Sequence, residues 1–193
     1  YGFNMGSWFI YDPRSGLGGD GAFRVSRATK PRDIKDGLSQ TLAAAEVKAY
    51  TSYIRNTQDP GPTIPSDPSM LQAYSGQMKL GPLTDQNTGH TVWPDGRVHH
   101  AGFTTVFTPN TFVRYLFGGE EYDIDFNSRQ EGRTLTQPTY AAVTSRSYHG
   151  ESVNCLLMDG SVRDINQAVS PKVWRALGTR AGSLDEAGAL GEL

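Results

Sequence analysis

Cysteine is nearly absent. One residue, Cys155, stands among 193, which excludes an intrachain disulfide and any multi-cysteine zinc or iron–sulfur site. It lies in the apolar run Val153-Asn154-Cys155-Leu156-Leu157-Met158, where a small buried hydrophobe is expected rather than a nucleophile. A basic excess is missing too: 18 Lys and Arg face 20 Asp and Glu, a formal charge of −2, which argues against a nucleic-acid reader. No apolar run approaches the roughly 18 residues of a membrane span, so no membrane contact is expected from this segment itself. H-E-x-x-H and G-x-S-x-G do not occur, and the glycines between Gly16 and Gly21 lack the Lys-Ser/Thr that a phosphate loop needs. Of four histidines, His99 and His100 are adjacent; on a strand they would point to opposite faces, so no zinc site is expected from them.

What the chain does have is turn formers and rings. It carries 22 Gly and 11 Pro beside nine Tyr, eight Phe and three Trp, the composition of short strands joined by tight turns. Strands are expected near Tyr1–Tyr11, Phe103–Thr108, Thr139–Ser145 and Val153–Met158, the last pairing with Ser161–Ile165 across the turn Asp159-Gly160. Residues 41–50 are ambiguous, because Ala43–Ala45 favours helix while Val47 and Tyr50 suit a strand. Residues 57–90 form a Pro/Gly-rich loop with one short helix, capped by Asp67 and started by Pro68. A second short helix runs from Pro171, behind Ser170, to Gly178. A turn is expected at Gly81-Pro82, and residues 181–193 read as a loose tail. Bases prevail over residues 1–56 and acids over 119–193, a pattern that would help the two parts dock.

The richest polar cluster is Glu120-Glu121-Tyr122-Asp123-Ile124-Asp125-Phe126-Asn127. In an extended chain Asp123, Asp125 and Asn127 project the same way, and with Glu121 they form a candidate Ca²⁺ ligand set of hard oxygens. It is not an EF-hand, since Ser128 replaces the turn glycine and Thr134 stands where the bidentate Glu belongs. The other reading of the same residues is a solvated acidic edge that deters strand pairing.

His149 precedes Asp159-Gly160 across nine residues, within Ser147-Tyr148-His149-Gly150-Glu151 through Asp159-Gly160-Ser161-Val162-Arg163. This closely resembles the H-X9-DG signature of the DUF1559 family of prepilin-like proteins. Asp36-Gly37-Leu38-Ser39-Gln40-Thr41-Leu42 through Glu46 resembles the family's D-G-x-S-N-T-L…E segment, with Gln40 in place of Asn. His100–Thr111 and Val173–Arg180 fit its pattern as well. The resemblance implies an α+β pseudopilin-like head: an antiparallel sheet with long loops and few short helices, in one domain over residues 1–193. It also implies an exported protein, periplasmic or extracellular, anchored by an N-terminal transmembrane helix that is absent from this chain. Tyr1 in place of Met is read as the start of a processed or internal piece. Related type II secretion pseudopilins hold Ca²⁺ in a C-terminal loop, which favours the acidic cluster as a cation site.

Two functions compete at this level. The first is a Ca²⁺-stabilised structural or interaction domain, with other pseudopilins or secretion components as partners. The second is a Ca²⁺-dependent hydrolase of a reactive ester or lactone, such as an acyl-homoserine lactone in quorum quenching, with His149 as the candidate catalytic residue. For His149 a hydrogen-bonded structural role is the opposing reading. A carbohydrate or small-ligand binding module using Trp8 or Trp93 ranks third.

Overall fold

The computed structural model describes residues 1–81 and 87–182; Pro82 and residues 183–193 of the expected turn and tail lie outside them. The chain is mostly β-sheet with a few short helices. Twelve strands occur among the described residues: β1 (Gly2–Asn4), β2 (Phe9–Asp12), β3 (Leu17–Gly18), β4 (Leu42–Ala45), β5 (Ser52–Arg55), β6 (Gln77–Lys79), β7 (Gly102–Phe103), β8 (Arg114–Phe117), β9 (Glu120–Asn127), β10 (Thr139–Ala142), β11 (Ser152–Leu157) and β12 (Val162–Asn166). They build a sheet in the order β12-β11-β4-β1-β7 and a second in the order β3-β2-β10-β9-β5-β6, with β8 also on β9. The sheets are mixed rather than wholly antiparallel, because β1 runs parallel to β7 and β5 parallel to β9. Among the described residues no helix is long and apolar enough to cross a membrane.

The ambiguous alanines are a strand. Ala44 and Ala45 sit between Phe3 and Gly2 on one side and Leu156 and Cys155 on the other, so both rows of backbone groups find partners. That pairing outweighs the helix preference of alanine. The Asp159-Gly160 hairpin forms as read, joining β11 to β12 with Gly160 at φ +86°, a left-handed conformation that favours glycine. Cys155, in the middle of β11, is wholly buried, and burial pushes its thiol up to about 12.

The expected strand over Phe103–Thr108 is the main departure. Only Gly102–Phe103 is strand. Beyond it the backbone changes partner at each step, Thr104 N donating to Val143 O and Thr105 N to Gly6 O, although residues 103–107 are all buried. The β-branched and aromatic composition reported burial correctly and ladder pairing wrongly.

Strand β10 separates two apolar cores. Ala141 and Val143 face one that contains Ile10, Leu42, Phe103, Leu157 and Trp174. Tyr140 and Ala142 face another with Trp8, Ile54, Leu71, Ile124 and Phe126. A strand covered on both faces has no polar side, which is why residues 139–142 show no alternation. Trp8 and Trp174 are core, whereas Trp93 is exposed, so burial removes Trp8 from any stacking platform.

The short helices fall where their punctuation placed them. Asp67 accepts a hydrogen bond from Ser69 N at 2.8 Å and starts a 3₁₀ turn over Pro68–Ala73. Helix α2 (Pro171–Gly178) buries Val173, Trp174, Ala176 and Leu177, although the Ser170 side chain makes no cap bond. Gly178 serves close approach: a Cβ there would stand 2.2 Å from Thr105 Oγ1. Gly178→Ala is therefore expected to cost about 1–3 kcal/mol by overpacking, read as a lower urea midpoint. Gly96→Ala, whose methyl would meet open space, is expected to leave the midpoint within about 0.5 kcal/mol of the parent.

Candidate functional site

Glu46 leaves the end of β4 and becomes a hub. Its backbone N donates to Asn154 O at 3.2 Å, and its carbonyl accepts from Arg146 N at 3.0 Å and Ser145 Oγ at 2.8 Å. Its carboxylate accepts from Asn154 N at 2.8 Å through Oε2, while Oε1 lies 3.1 Å from His149 Nε2. Two signature residues 103 positions apart thus meet. Asn110, held at φ +57°, supports the same segment: its Oδ1 accepts from Ser147 N and its Nδ2 donates to Gly150 O and Ser152 O. His149 itself is 61% exposed at the side chain. It borders a groove of about 320 Å³ with Tyr1, Glu46, Lys48 and Tyr148.

The other signature residues also hold backbone. Asp159 accepts from Ser161 N at 2.9 Å and Ser161 Oγ at 2.6 Å, and those bonds hold its carboxyl below the usual range. The hairpin leans on the upstream motif, with Asp159 N donating to Leu38 O and Met158 N to Thr41 O. Asp36 accepts from Thr179 Oγ1 and Gly182 N. Each motif acid is spent on fixing a strand, a turn or the chain after α2.

The acidic cluster is a strand, and its candidate calcium ligands scatter to different partners. Arg146 uses all five of its N–H groups at β9 and the residue beside it. Nε and Nη2 donate to the two oxygens of Asp123 at 3.1 and 2.9 Å, and Nη1 to Asp125 Oδ1 at 2.5 Å. The remaining donors reach Thr144 O at 3.2 Å and Ile124 O at 3.1 Å. Burial pulls the guanidinium pKa down, but Asp125 and Asp123 outweigh it and leave it above the ordinary value. Asp123 Oδ1 also accepts from Val113 N, and Asp125 Oδ1 from Thr144 N. Glu121 pairs with Arg114 at 2.6 Å on the surface, and Asn127 Nδ2 lies 2.8 Å from His99 Nδ1 in the interior.

This arrangement does not fit calcium. The ion needs six to eight oxygens, whereas three of the four Asp123 and Asp125 oxygens already accept from a cation. Among the described residues no group of three or more His, Cys, Asp or Glu is placed to hold a metal. The sequence signal that goes with Arg146 is faint: one base between two serines, three residues before His149.

His99 and His100 lie in the single turn of α1 (Val98–Ala101), not on a strand, so the opposite-face argument does not hold. Their ring centroids are 4.2 Å apart, and His99 stacks on Tyr53 at 4.8 Å. Burial, then the neighbouring His100, lowers His99 to about 2. Burial lowers His90 and His100 as well, so this interior cluster packs as neutral imidazoles.

The family model SBP_bac_10, described as a protein of unknown function (DUF1559), matches residues 1–172. No curated protein matches the chain, and no solved structure does.

Arg146→Ala leaves two carboxylates without their cation, one of them wholly buried; the expected loss is about 3–5 kcal/mol in urea unfolding. Arg146→Lys restores little of it, because an ammonium cannot reproduce the forked pattern. His99 is expected to stay neutral in the folded protein, its ring NMR signals fixed between about pH 7.5 and about pH 5. Its folded pKa lies below the ordinary 6.5, so its contribution to stability is present above 6.5 and is lost as pH falls toward 2.

Proposed function

The chain belongs to the DUF1559 family, and from that premise we propose that it is an interaction domain of pseudopilin-like type, exported and displayed outside the cytoplasmic membrane. Its partners in this reading are other pseudopilins or secretion components. The observation that carries it is the use of the family signature. Glu46, His149, Asp36 and Asp159 hold strands and loops in place, and beside Glu46 and His149 the Tyr148 side chain is exposed by 86%. A rigid frame that presents an aromatic side chain is suited to contact with another protein. Lys48 Nζ lies 4.3 Å from the Tyr148 ring centroid and steadies that ring.

In this reading the Arg146 guanidinium supplies the positive charge between Asp123 and Asp125, in place of calcium. The hydrolase reading keeps one observation in its favour, the His149–Glu46 pair at 3.1 Å beside a groove of about 320 Å³. A carboxylate that orients an imidazole is the geometry of a general base. Among the described residues no metal group accompanies it.

Protease added to intact cells is expected to digest this domain while a cytoplasmic marker survives; full protection of both overturns the export reading. For the purified domain, chelation followed by Ca²⁺ is expected to leave the thermal midpoint unchanged. Acyl-homoserine lactone is expected to persist at its uncatalysed rate. Hydrolysis that requires Ca²⁺ and disappears in His149→Ala replaces the interaction reading with the enzymatic one.

A further inference from the structure

Residues 22–35 hold five bases, Arg24, Arg27, Lys30, Arg32 and Lys35, against one acid, Asp33. Two of those bases share a tight turn. Arg24 and Arg27 stand directly opposite each other in an antiparallel bridge, with Ser26 between them at φ +55°, and like charges so placed are unfavourable. Arg24 is pinned, its Nε donating to Thr29 Oγ1 at 3.3 Å and its Nη2 to Ala28 O at 3.2 Å. That leaves its Nη1 without a partner among the described residues, and it leaves the charge itself unpaired. Arg27 is exposed and has neither an ion pair nor a side-chain hydrogen bond among them.

Both arginines line one cavity of about 260 Å³, and no carboxylate lines it with them. Its apolar wall is Ala22, Phe23 and Met158. Phe23 is fixed by its N donating to Asn4 O at 2.9 Å and by the Phe3 ring, 4.8 Å away, yet it stays 38% exposed. Met158 comes from the β11–β12 turn, where its N donates to Thr41 O. The acids nearest in the chain are engaged elsewhere. Asp20 accepts from Ser7 N and Oγ, Asp33 from Lys30 N, and Asp36 from Thr179 Oγ1 and Gly182 N. The surplus of positive charge reaches a third base: burial, then the neighbouring Arg24, holds the Arg180 guanidinium below its ordinary value.

We propose that this cavity binds a small organic carboxylate, its anionic head between the Arg24 and Arg27 guanidiniums and its apolar body against Phe23 and Met158. Each half of the site answers one half of such a ligand. A carboxylate relieves the repulsion of two opposed guanidiniums and takes their free N–H groups, whose forked geometry it matches. The apolar body covers a ring and a thioether otherwise left beside water. A cationic ligand would meet two like charges and no acceptor of opposite sign. The donors are reachable, because Arg27 is at the surface and Arg24 half-buried. The site lies on other residues than the Glu46–His149 groove, so its failure leaves the interaction reading standing.

The test uses the whole chain, isothermal titration and three probes of one shape: phenylacetate, 2-phenylethanol and 2-phenylethylammonium. Phenylacetate is expected to bind at least about tenfold more tightly than the other two. Arg27→Gln removes a side chain with no partner in the fold; it is expected to erase that preference and to leave the thermal midpoint unchanged. Lys172→Gln makes the same change of charge on α2 and is expected to leave the preference intact. Equal or tighter binding of the alcohol or the ammonium overturns the proposal. So does a carboxylate preference that survives Arg27→Gln, one that Lys172→Gln removes equally, or no binding by any probe.

Discussion

The ion pair of Arg146 with Asp123 and Asp125 is the interaction on which the arrangement of the sheets depends. Taking a guanidinium and the wholly buried Asp125 carboxylate out of water costs several kcal/mol per ion; the forked contacts offset that cost on the Arg146 side, while Asp125 Oδ2, 3.9 Å from His90 Nε2, has no hydrogen-bond partner among the described residues. Here the guanidinium has no free N–H, because backbone carbonyls of Ile124 and Thr144 take what the carboxylates leave. Such a geometry tolerates one register between β9 and the chain following β10. The same stretch is held from the other side by Glu46, whose carbonyl receives Ser145 and Arg146. Three residues, Thr144 to Arg146, thus tie a strand of the second sheet to the end of a strand of the first. In a chain without disulfides, polar contacts of this density supply the specificity that a covalent staple would otherwise give.

The spacing of the DUF1559 signature has a physical origin in this frame. His149 meets Glu46 at one end of β11, and Asp159-Gly160 turns the chain at the other. The nine residues between them are the length of β11 with its entry and exit. A change in that number would part the histidine from its carboxylate or move the turn off the Leu38–Thr41 segment on which it rests. In this chain that spacing is the length of one strand with its flanks.

Much of this was legible in the residues themselves. Asp159-Gly160 between two apolar runs, Asp67-Pro68 and Ser170-Pro171 each encode a local event, and local events are what residue type determines most directly. Phe103–Thr108 was misread because bulky β-formers report burial, while the ladder partner is decided elsewhere in the chain. The acidic segment is extended, as its alternation predicts, but of the four expected ligands only Asp123 and Asp125 share a partner, while Glu121 goes to Arg114 and Asn127 to His99. Its counter-charge comes from a residue 21 positions beyond Asp125, and such a long-range pair leaves no mark in local spacing. The same limit hid the contact of Glu46 with His149, 103 positions apart.

Cys155 has a consequence for how motion in this molecule is observed. Its thiol is sealed at the centre of β11, beside Ala45 of β4 and Arg163 of β12, and the thiolate form is strongly disfavoured at neutral pH. A small alkylating reagent therefore reaches sulfur only when that strand separates from its neighbours. Under conditions where reclosing is fast, the labelling rate divided by that of an open thiol is the fraction of time the strand stands apart. The one cysteine makes the chain its own single-site clock for breathing of the first sheet.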